Sequence, residues 1–266
     1  MTESYANVWL NELESRHNEI DKLIDLAKIY QEKDESAFNA ICRSATVMLY
    51  AHFEGSLRSA IKSFSDDINK NGGYSIVGER IKSLFLCGLL DIEISVDNLN
   101  KSLDRRRRLD AKLDGSSGIN INLEHVWLNG KNPTADIYRT VIMRFGIDNI
   151  FKILEDSEME ISMFTEGILA LGEKINVLID RFRENYSVYP YTSIFTEIGC
   201  AEIARHRKKT ITEEFINNTM RPRHDIAHGH TLENILSLDQ VEAASIRMKF
   251  LSIIFYAAIT ENNPTV

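Results

Sequence analysis

The chain has 266 residues, 44% of them hydrophobic, and a formal net charge of −8 at pH 7. The hydrophobic share is large enough to bury a core, which excludes a disordered tail. The negative charge excludes a protein that coats nucleic acid through bulk positive charge, so any nucleic-acid contact must be local. Only four prolines and thirteen glycines interrupt the sequence, which favours long helices and predicts an all-α fold.

Two long helices are predicted at the start of the chain. Apolar residues recur at helical spacing from about Glu3 to Glu32, with acids and lysines between them, which indicates an amphipathic helix. Polar side chains around Asp34 can cap a second helix, which is apolar over a wider face and runs to about Ile68. The turn residues NKNGGY, 69–74, end that helix.

The middle of the chain, about 75–155, is less regular. Short helices are predicted around Ile81–Leu90 and Val96–Leu113. The stretch DGSSGININLEHVWLNGKNPT, 114–134, mixes turn residues with alternating apolar residues, which favours a loop with a small hairpin. We interpret this middle as a mixed insertion on a helical frame.

Helical periodicity returns in the last part of the chain. Helices are predicted over about 157–185 and from Thr210 to about Met220. A closing core helix then begins at Ser237, where Gln240 completes a capping box. The sequence therefore predicts one domain, 1–266, that is a bundle of long antiparallel helices, with its frame at about 1–70 and 157–262.

Cellular context is indicated by three observations. Cysteines 42, 87 and 200 lack the spacing of a disulfide framework or a structural zinc site, which fits a reducing compartment. The first residues lack the apolar core of a signal peptide, and the apolar stretch FLSIIFYAAI, 250–259, is too short to span a bilayer. We expect a cytoplasmic protein without membrane contact.

Local positive charge is concentrated in two clusters. One is KSLDRRRRLDAK, 101–112, which either guides RNA or forms a solvated helix face. The second lies just before a histidine-rich run, and we expect its side chains to contact RNA: Arg205, Arg207, Lys208 and Arg221.

The histidine-rich run is MRPRHDIAHGHT, 220–231. Arg223 and His228 stand five residues apart, which on a continuous helix separates the side chains by about 140°. They converge only if the helix bends or ends between them, or if a second subunit contributes its own copies. Gly229 is a natural helix stop.

These residue types suit the cleavage of RNA. Histidine exchanges a proton near neutral pH, and arginine is a permanent, forked phosphate ligand. Because the 2′-hydroxyl of RNA can serve as an internal nucleophile, the protein needs proton transfer and charge neutralisation rather than a metal-bound water. His224 and His228 lack the glutamate of an HExxH site, and we expect neither a metal nor another cofactor.

The segment RHDIAHG, 223–229, resembles the Rx4-6H motif of the HEPN superfamily in the form found in stand-alone bacterial members. LYAHFEGSLRSAI, 49–61, resembles those members too, with Glu54 and Arg58 at the E-x3-[KR] spacing that accompanies the motif. The resemblance implies a HEPN-like bundle and a metal-independent endoribonuclease that leaves 2′,3′-cyclic phosphate. His228 would transfer protons, Arg223 would bind phosphate, and Glu54 and Arg58 would orient residues or line the cleft.

The resemblance also implies partners. The active site would form across a homodimer, with two Arg/His pairs facing each other, and the substrate would be an RNA such as tRNA or mRNA. Such proteins act as toxins or as anti-phage effectors, which implies an antitoxin or defence-system partner. The sequence does not identify the RNA, the regulator, or the trigger.

Some residues depart from the family pattern and leave alternatives open. His224 stands where asparagine is usual and would support the site, and His230 replaces the tyrosine of the branch that adenylylation silences. Arg221 is also within motif spacing, although Pro222 fits poorly with a helix that continues through it. His228 could instead cap a helix end, and Glu54 and Arg58 could be a structural pair. The alternative function is a catalytically silent HEPN binding module or an antitoxin-like partner of another HEPN protein.

Overall fold

A computed structural model describes residues 3–90, 103–113, 119–127, 133–195, 209–227 and 236–261. These ranges contain α-helices and short 3₁₀ turns but no strand, so the predicted all-α fold is confirmed. The α-helices, in chain order, are α1 Tyr5–Tyr30, α2 Glu35–Lys70, α3 Glu79–Leu89, α4 Leu103–Leu113, α5 Ala135–Arg144, α6 Ile150–Leu154, α7 Glu158–Thr165, α8 Ile168–Asn185, α9 Ile211–Ala227 and α10 Leu238–Glu261.

Helices α1 and α2 form an antiparallel hairpin that is the spine of the fold. The Asp34 side chain caps α2 by accepting a hydrogen bond from the Ala37 amide at 3.0 Å. Between the helices, the buried Trp9 indole N–H donates to the Ser56 carbonyl at 2.8 Å. The two long helices predicted from periodicity are confirmed, and each end lies within two residues of its prediction.

A buried carboxylate ties the start of α1 to the end of α2. Asp67 accepts hydrogen bonds from the amides of Tyr5 at 3.0 Å and Ala6 at 2.9 Å, which are free donors of the first turn of α1. The Tyr191 hydroxyl donates to the same carboxylate at 2.6 Å. Burial raises the pKa of the Tyr191 phenol, so this hydroxyl stays protonated and remains a donor.

Helix α10 packs into the groove between α1 and α2. The Ser237 amide donates to the Gln240 side chain at 2.8 Å, and the Gln240 amide donates back to the Ser237 hydroxyl at 3.3 Å, which confirms the predicted capping box. Further along α10, the Ser252 hydroxyl lies 2.9 Å from the Ser56 hydroxyl on α2. Helix α10 is long and apolar enough to cross a membrane, but 78% of its apolar window is buried inside the fold, as in a core helix.

The middle of the chain packs onto this spine through aromatic side chains. The buried Tyr138 ring on α5 lies 4.9 Å from Phe53 on α2 and 5.7 Å from Phe255 on α10. The helix predicted around Val96–Leu113 is α4, and residues 91–102 lie outside the described residues. Where a hairpin is predicted, residues 119–127 contain no strand and form a 3₁₀ turn at Glu124–Val126. Residues 114–118 and 128–132 lie outside the described residues.

The predicted helix over about 157–185 is two helices, α7 and α8. The chain is extended at Glu166 (φ −86°, ψ 155°) and Gly167 (φ −68°, ψ 157°), and this interrupts the helical hydrogen bonding. The Glu166 carboxylate is held by the Lys174 ammonium at 2.6 Å and by the Ser162 hydroxyl at 3.2 Å. Periodicity misses the break because apolar residues continue on both sides of it.

Candidate functional site

Helix α9 carries the first part of the Arg/His motif, and its start is strongly capped. The Thr210 amide donates to the Glu213 carboxylate at 2.8 Å, and the Glu213 amide donates to the Thr210 hydroxyl at 3.1 Å. Arg139 of α5 binds the same carboxylate at 3.0 Å. This reciprocal cap fixes where α9 begins.

A second carboxylate, from another helix, holds the same end of α9. The side chain of Glu160, on α7, is 2% exposed. One of its oxygens accepts from the Thr212 hydroxyl at 2.7 Å and from the Thr212 amide at 3.2 Å, and the other accepts from the Asp156 amide at 2.9 Å. Acceptors at a helix N-terminus satisfy free amides and interact favourably with the helix dipole. α9 is therefore rigidly attached at the end opposite the motif.

Contacts with α5 define the direction of α9. The Ala135 amide, at the start of α5, donates to the Asn217 side chain at 3.1 Å. Arg139, one turn further along α5, binds Glu213, one turn earlier on α9. The two helices are therefore antiparallel.

Helix α5 in turn runs parallel to α2. The ring centroid of Tyr138 lies 4.9 Å from that of Phe53 on α2. The ring centroid of Phe145, which directly follows α5, lies 6.4 Å from that of Phe64, further along α2. Because α9 is antiparallel to α5, it is also antiparallel to α2. The motif end of α9 therefore points toward the start of α2.

Helix α9 continues through Pro222 to Ala227, contrary to the expectation that the helix ends near Met220 and that Pro222 fits poorly within it. A proline inside a helix removes one hydrogen bond and crowds the preceding turn. The anchored start of α9 and the buried Ile216 and Met220 on its inner face offset that cost. Arg221, Arg223 and His224 are all part of this helix.

His228 and His230 lie outside the described residues, as do Arg205, Arg207 and Lys208 of the predicted RNA-binding set. The described chain thus reaches the residue before His228 in helical conformation. In the basic cluster at 101–112, Arg107 and Arg108 are exposed on α4.

The predicted supporting pair lies on α2. The Arg58 guanidinium binds the Glu54 carboxylate at 2.7 Å, one helical turn apart. The same guanidinium lies over the Trp127 ring, 4.9 Å from its centroid. Trp127 is a partner that no motif indicates, because it comes from the 3₁₀ turn of the middle segment.

Tyr50 and Thr219 mark where α2 meets α9. Tyr50 is fully buried, and burial raises the pKa of its phenol, against a smaller opposing contribution from the neighbouring Thr219 hydroxyl. Glu54 lies one helical turn after Tyr50 on α2, and Arg223 lies one turn after Thr219 on α9. Because the two helices are antiparallel, these turns lead in opposite directions. At 1.5 Å rise per residue Glu54 and Arg223 are separated by about 12 Å along the bundle axis. One chain alone does not bring Glu54 next to the motif.

A second neighbour of α9 that the motifs do not indicate is Arg247 on α10. Its guanidinium lies over the rings of Phe164 and Phe215, at 5.2 and 5.7 Å from their centroids. Burial lowers its pKa. Arg247 and Asn218 line a cavity of about 570 Å³, which begins about one turn before Arg223. Arg247 thus places a cation beside the motif helix.

Within the described ranges, no group of three or more His, Cys, Asp or Glu side chains is arranged to hold a metal ion. Cys42 and Cys87 are buried thiols that are not joined in a disulfide.

Comparison with known proteins gives one family. The family model described as RiboL-PSP-HEPN matches residues 11–248, which includes both α2 and α9. Comparisons with curated proteins and with solved structures found no match.

Proposed function

The chain belongs to the RiboL-PSP-HEPN family, and on that premise we propose that it is a metal-independent endoribonuclease. The observation that carries the proposal is the RHDIAHG run placed where the rigidly anchored helix α9 comes to its end. A HEPN chain with this run has a proton-transfer group and a phosphate ligand within one short segment of sequence. The family match itself fits either RNA cleavage or nucleotide binding.

The proposed reaction uses the substrate's own nucleophile. The 2′-oxygen of a ribose forms a bond to the adjacent phosphorus as its proton passes to a histidine, and the bond from phosphorus to the 5′-oxygen breaks. The departing 5′-oxygen takes up a proton, so the products end in 2′,3′-cyclic phosphate and 5′-hydroxyl. His228 transfers the proton, and Arg223 neutralises charge on the phosphoryl oxygens. His224 supports them.

We further propose that the complete site is shared by two chains. The helix that carries Arg223 continues without a break to Ala227. On a continuous helix an offset of five residues turns two side chains about 140° apart, so the Rx4H spacing does not by itself bring an arginine and a histidine together. A second copy related by a twofold axis would place each chain's histidine opposite the partner's arginine. This arrangement removes the need for the two side chains to converge within one chain.

The biological role follows from the resemblance of the motifs. We propose a cytoplasmic toxin or anti-phage effector that cuts tRNA or mRNA and is controlled by an antitoxin or another defence protein. Cys42 and Cys87, which are buried and are not joined in a disulfide, fit a reducing compartment.

The test is to incubate the wild-type protein and His228→Ala with total RNA and transfer RNA in EDTA, and to analyse the ends of any fragments. We expect wild-type fragments that end in 2′,3′-cyclic phosphate and intact RNA with His228→Ala. The matched control is His52→Gln, since the His52 ring binds Glu19 on the surface of the α1–α2 hairpin at 3.1 Å. This control should cut like the wild type.

Cleavage that disappears in EDTA, or that survives His228→Ala, would contradict the mechanism. Intact RNA with a well-folded wild-type dimer would favour the alternative function, a catalytically silent HEPN module that binds RNA or another HEPN protein.

A further inference from the structure

A cavity of about 370 Å³ opens between α2 and the 3₁₀ turn of the middle segment. We call it the Arg58 pocket. Its lining includes Gly55, Arg58, Ser59 and Lys62, which follow one another on one face of α2, and Glu124 and Trp127 from the 3₁₀ turn opposite. Pockets that bind small ligands begin at about 300 Å³, so one nucleotide fits.

The Arg58 guanidinium is held in a fixed plane. One edge is bound by Glu54 at 2.7 Å, and one face lies over the Trp127 ring at 4.9 Å. Trp127 is 5% exposed and is itself supported edge-on by Tyr138, 6.2 Å away. The Arg58 side chain is still 45% exposed, so it remains accessible from the pocket. A planar, immobilised guanidinium is a surface on which a nucleobase stacks.

The charges around the pocket favour a base over a bare phosphate. Lys62 is bound to Asp66 at 3.1 Å, just as Arg58 is bound to Glu54. Each cation is therefore largely neutralised by a carboxylate one turn away. Glu124 adds a further negative charge to the lining. Recognition here depends on stacking and hydrogen bonds, because the pocket has little excess positive charge.

We propose that the Arg58 pocket binds one base of single-stranded RNA, stacked on Arg58, at a distance from the cleaved bond. The proposal rests on the proposed function, in which RNA is the substrate. Arg58 and Arg223 lie on opposite sides of the level of Tyr50, so they are separated along the bundle axis by about 18 Å. Measured to Arg223 of its own chain, the pocket is therefore several nucleotides away from the proposed reaction.

Glu124 determines which bases the pocket accepts. A carboxylate only accepts hydrogen bonds, and it pairs well with the exocyclic amino groups of adenine, cytosine and guanine. Uracil lacks such a group. The pocket therefore prefers an amino-bearing base to uracil.

The experiment compares two RNAs bound to full-length His228→Ala protein. One is fluorescein-labelled octauridine, and the other carries a single central adenine. We expect the adenine-containing RNA to bind about fivefold more tightly or better, since every base can stack on Arg58 but only adenine offers an amino group to the Glu124 carboxylate. Its binding should also quench tryptophan fluorescence, and Trp127→Phe should remove that quenching.

Two variants test whether Arg58 and Glu124 cause the preference for the adenine-containing RNA. Arg58→Lys keeps the charge but removes the plane, and it should bring the two RNAs to equal affinity. Glu124→Gln can both donate to and accept from uracil, so octauridine should gain affinity. The matched control is Arg183→Lys, because Arg183 has a similar exposure, 44%, and an ion pair to Glu14 on another face. It should keep the adenine preference.

Equal binding of the two RNAs, no binding of either, or a preference that survives Arg58→Lys would overturn the proposal. The nuclease is tested separately by the wild-type protein. If the wild type cuts RNA but the adenine makes no difference, the Arg58 pocket proposal fails and the proposed function stands. If the adenine preference holds and the wild type never cuts, the pocket stands and the nuclease fails.

Discussion

Burial decides what the individual histidines of this chain can do. His17 stands among polar residues in the sequence, yet it is only 4% exposed, and its Nδ1 atom lies 3.0 Å from the Ser245 hydroxyl on α10. Burial, with a smaller contribution from nearby Lys249, lowers the pKa of His17 to about 3. A histidine that stays neutral throughout the physiological range is part of the core and cannot transfer protons in a reaction near neutral pH.

His17 makes the stability of the fold depend on pH. In the unfolded chain its pKa is about 6.5, so between pH 6.5 and about 3 the unfolded state binds a proton that the folded state does not. The free energy of unfolding should therefore fall by roughly 1.4 kcal/mol per pH unit below pH 6.5 on account of this residue. Above pH 6.5 His17 contributes no pH dependence.

The prediction is checked by urea unfolding at pH 7, 6 and 5 of the wild type and His17→Gln, in which the amide can still bind Ser245. The slope of the variant should be shallower by about 1.4 kcal/mol per pH unit. His52→Gln is the control: His52 contributes less than burial and Lys249 to the lowered pKa of His17, so this variant should keep most of the wild-type slope. Parallel profiles for the wild type and His17→Gln would contradict the assignment.

At the scale of elements, α9 is positioned from its start, and Glu160 is the main contact. Replacing this carboxylate with an amide preserves the shape of the side chain. It also places an N–H donor among the Thr212 and Asp156 donors that the carboxylate now accepts from. We expect Glu160→Gln to lower the free energy of unfolding by about 2 kcal/mol, because hydrogen bonds to charged groups are worth roughly 1.5–3 kcal/mol. Thr212→Val should cost about 1 kcal/mol.

A double-mutant cycle measured by urea unfolding tests whether these residues act together. Since Glu160 and Thr212 share two hydrogen bonds, at 2.7 and 3.2 Å, the double variant should lose less than the sum of the single losses, by about 1 kcal/mol. Glu158→Gln, an exposed change on the same helix, should stay within about 0.5 kcal/mol of the wild type. Additive losses would show that Glu160 does not hold α9 through Thr212.

Local signals in the sequence predict some elements and miss others for physical reasons. α1, α2 and α10 follow from apolar periodicity and from the caps at Asp34 and Ser237, because these determinants lie within a few residues of the structure they specify. The extension of α9 through Pro222 is missed, since a local rule counts the cost of proline and not the contacts that offset it. The break at Gly167 is missed because apolar residues continue on both sides of it.

For the whole molecule, the sequence indicates the residues of the candidate site but not how they are arranged. The RHDIAHG run and the Glu54–Arg58 spacing are visible as motifs, and the ion pair is present as its spacing indicates. Helix α9 runs antiparallel to α2 because both pack against α5. This orientation separates the two motifs within a chain. Trp127 contacts Arg58, and Arg247 contacts the rings beside α9, through similar long-range packing. No local sequence pattern indicates either contact.

The proposed shared site makes a prediction about mixed dimers. Arg223→Ala and His228→Ala homodimers should both be inactive. If each reaction uses the arginine of one chain and the histidine of the other, a heterodimer of the two variants retains one intact Arg223/His228 pair. It should then recover up to about half of the wild-type activity, since one of two symmetric pairs is restored.

The heterodimer is obtained by co-expressing the two variants with different affinity tags and purifying over both tags. Its molar mass is measured by light scattering, and its cleavage of RNA in EDTA is compared with that of both homodimers. A mixture of the separately purified homodimers, assayed before subunits exchange, is the control and should stay inactive. If the arginine and histidine of each site come from the same chain, the heterodimer has no intact pair and is as inactive as its parents. A dimer that shows no recovery would therefore place each Arg/His pair within one chain and contradict the shared site.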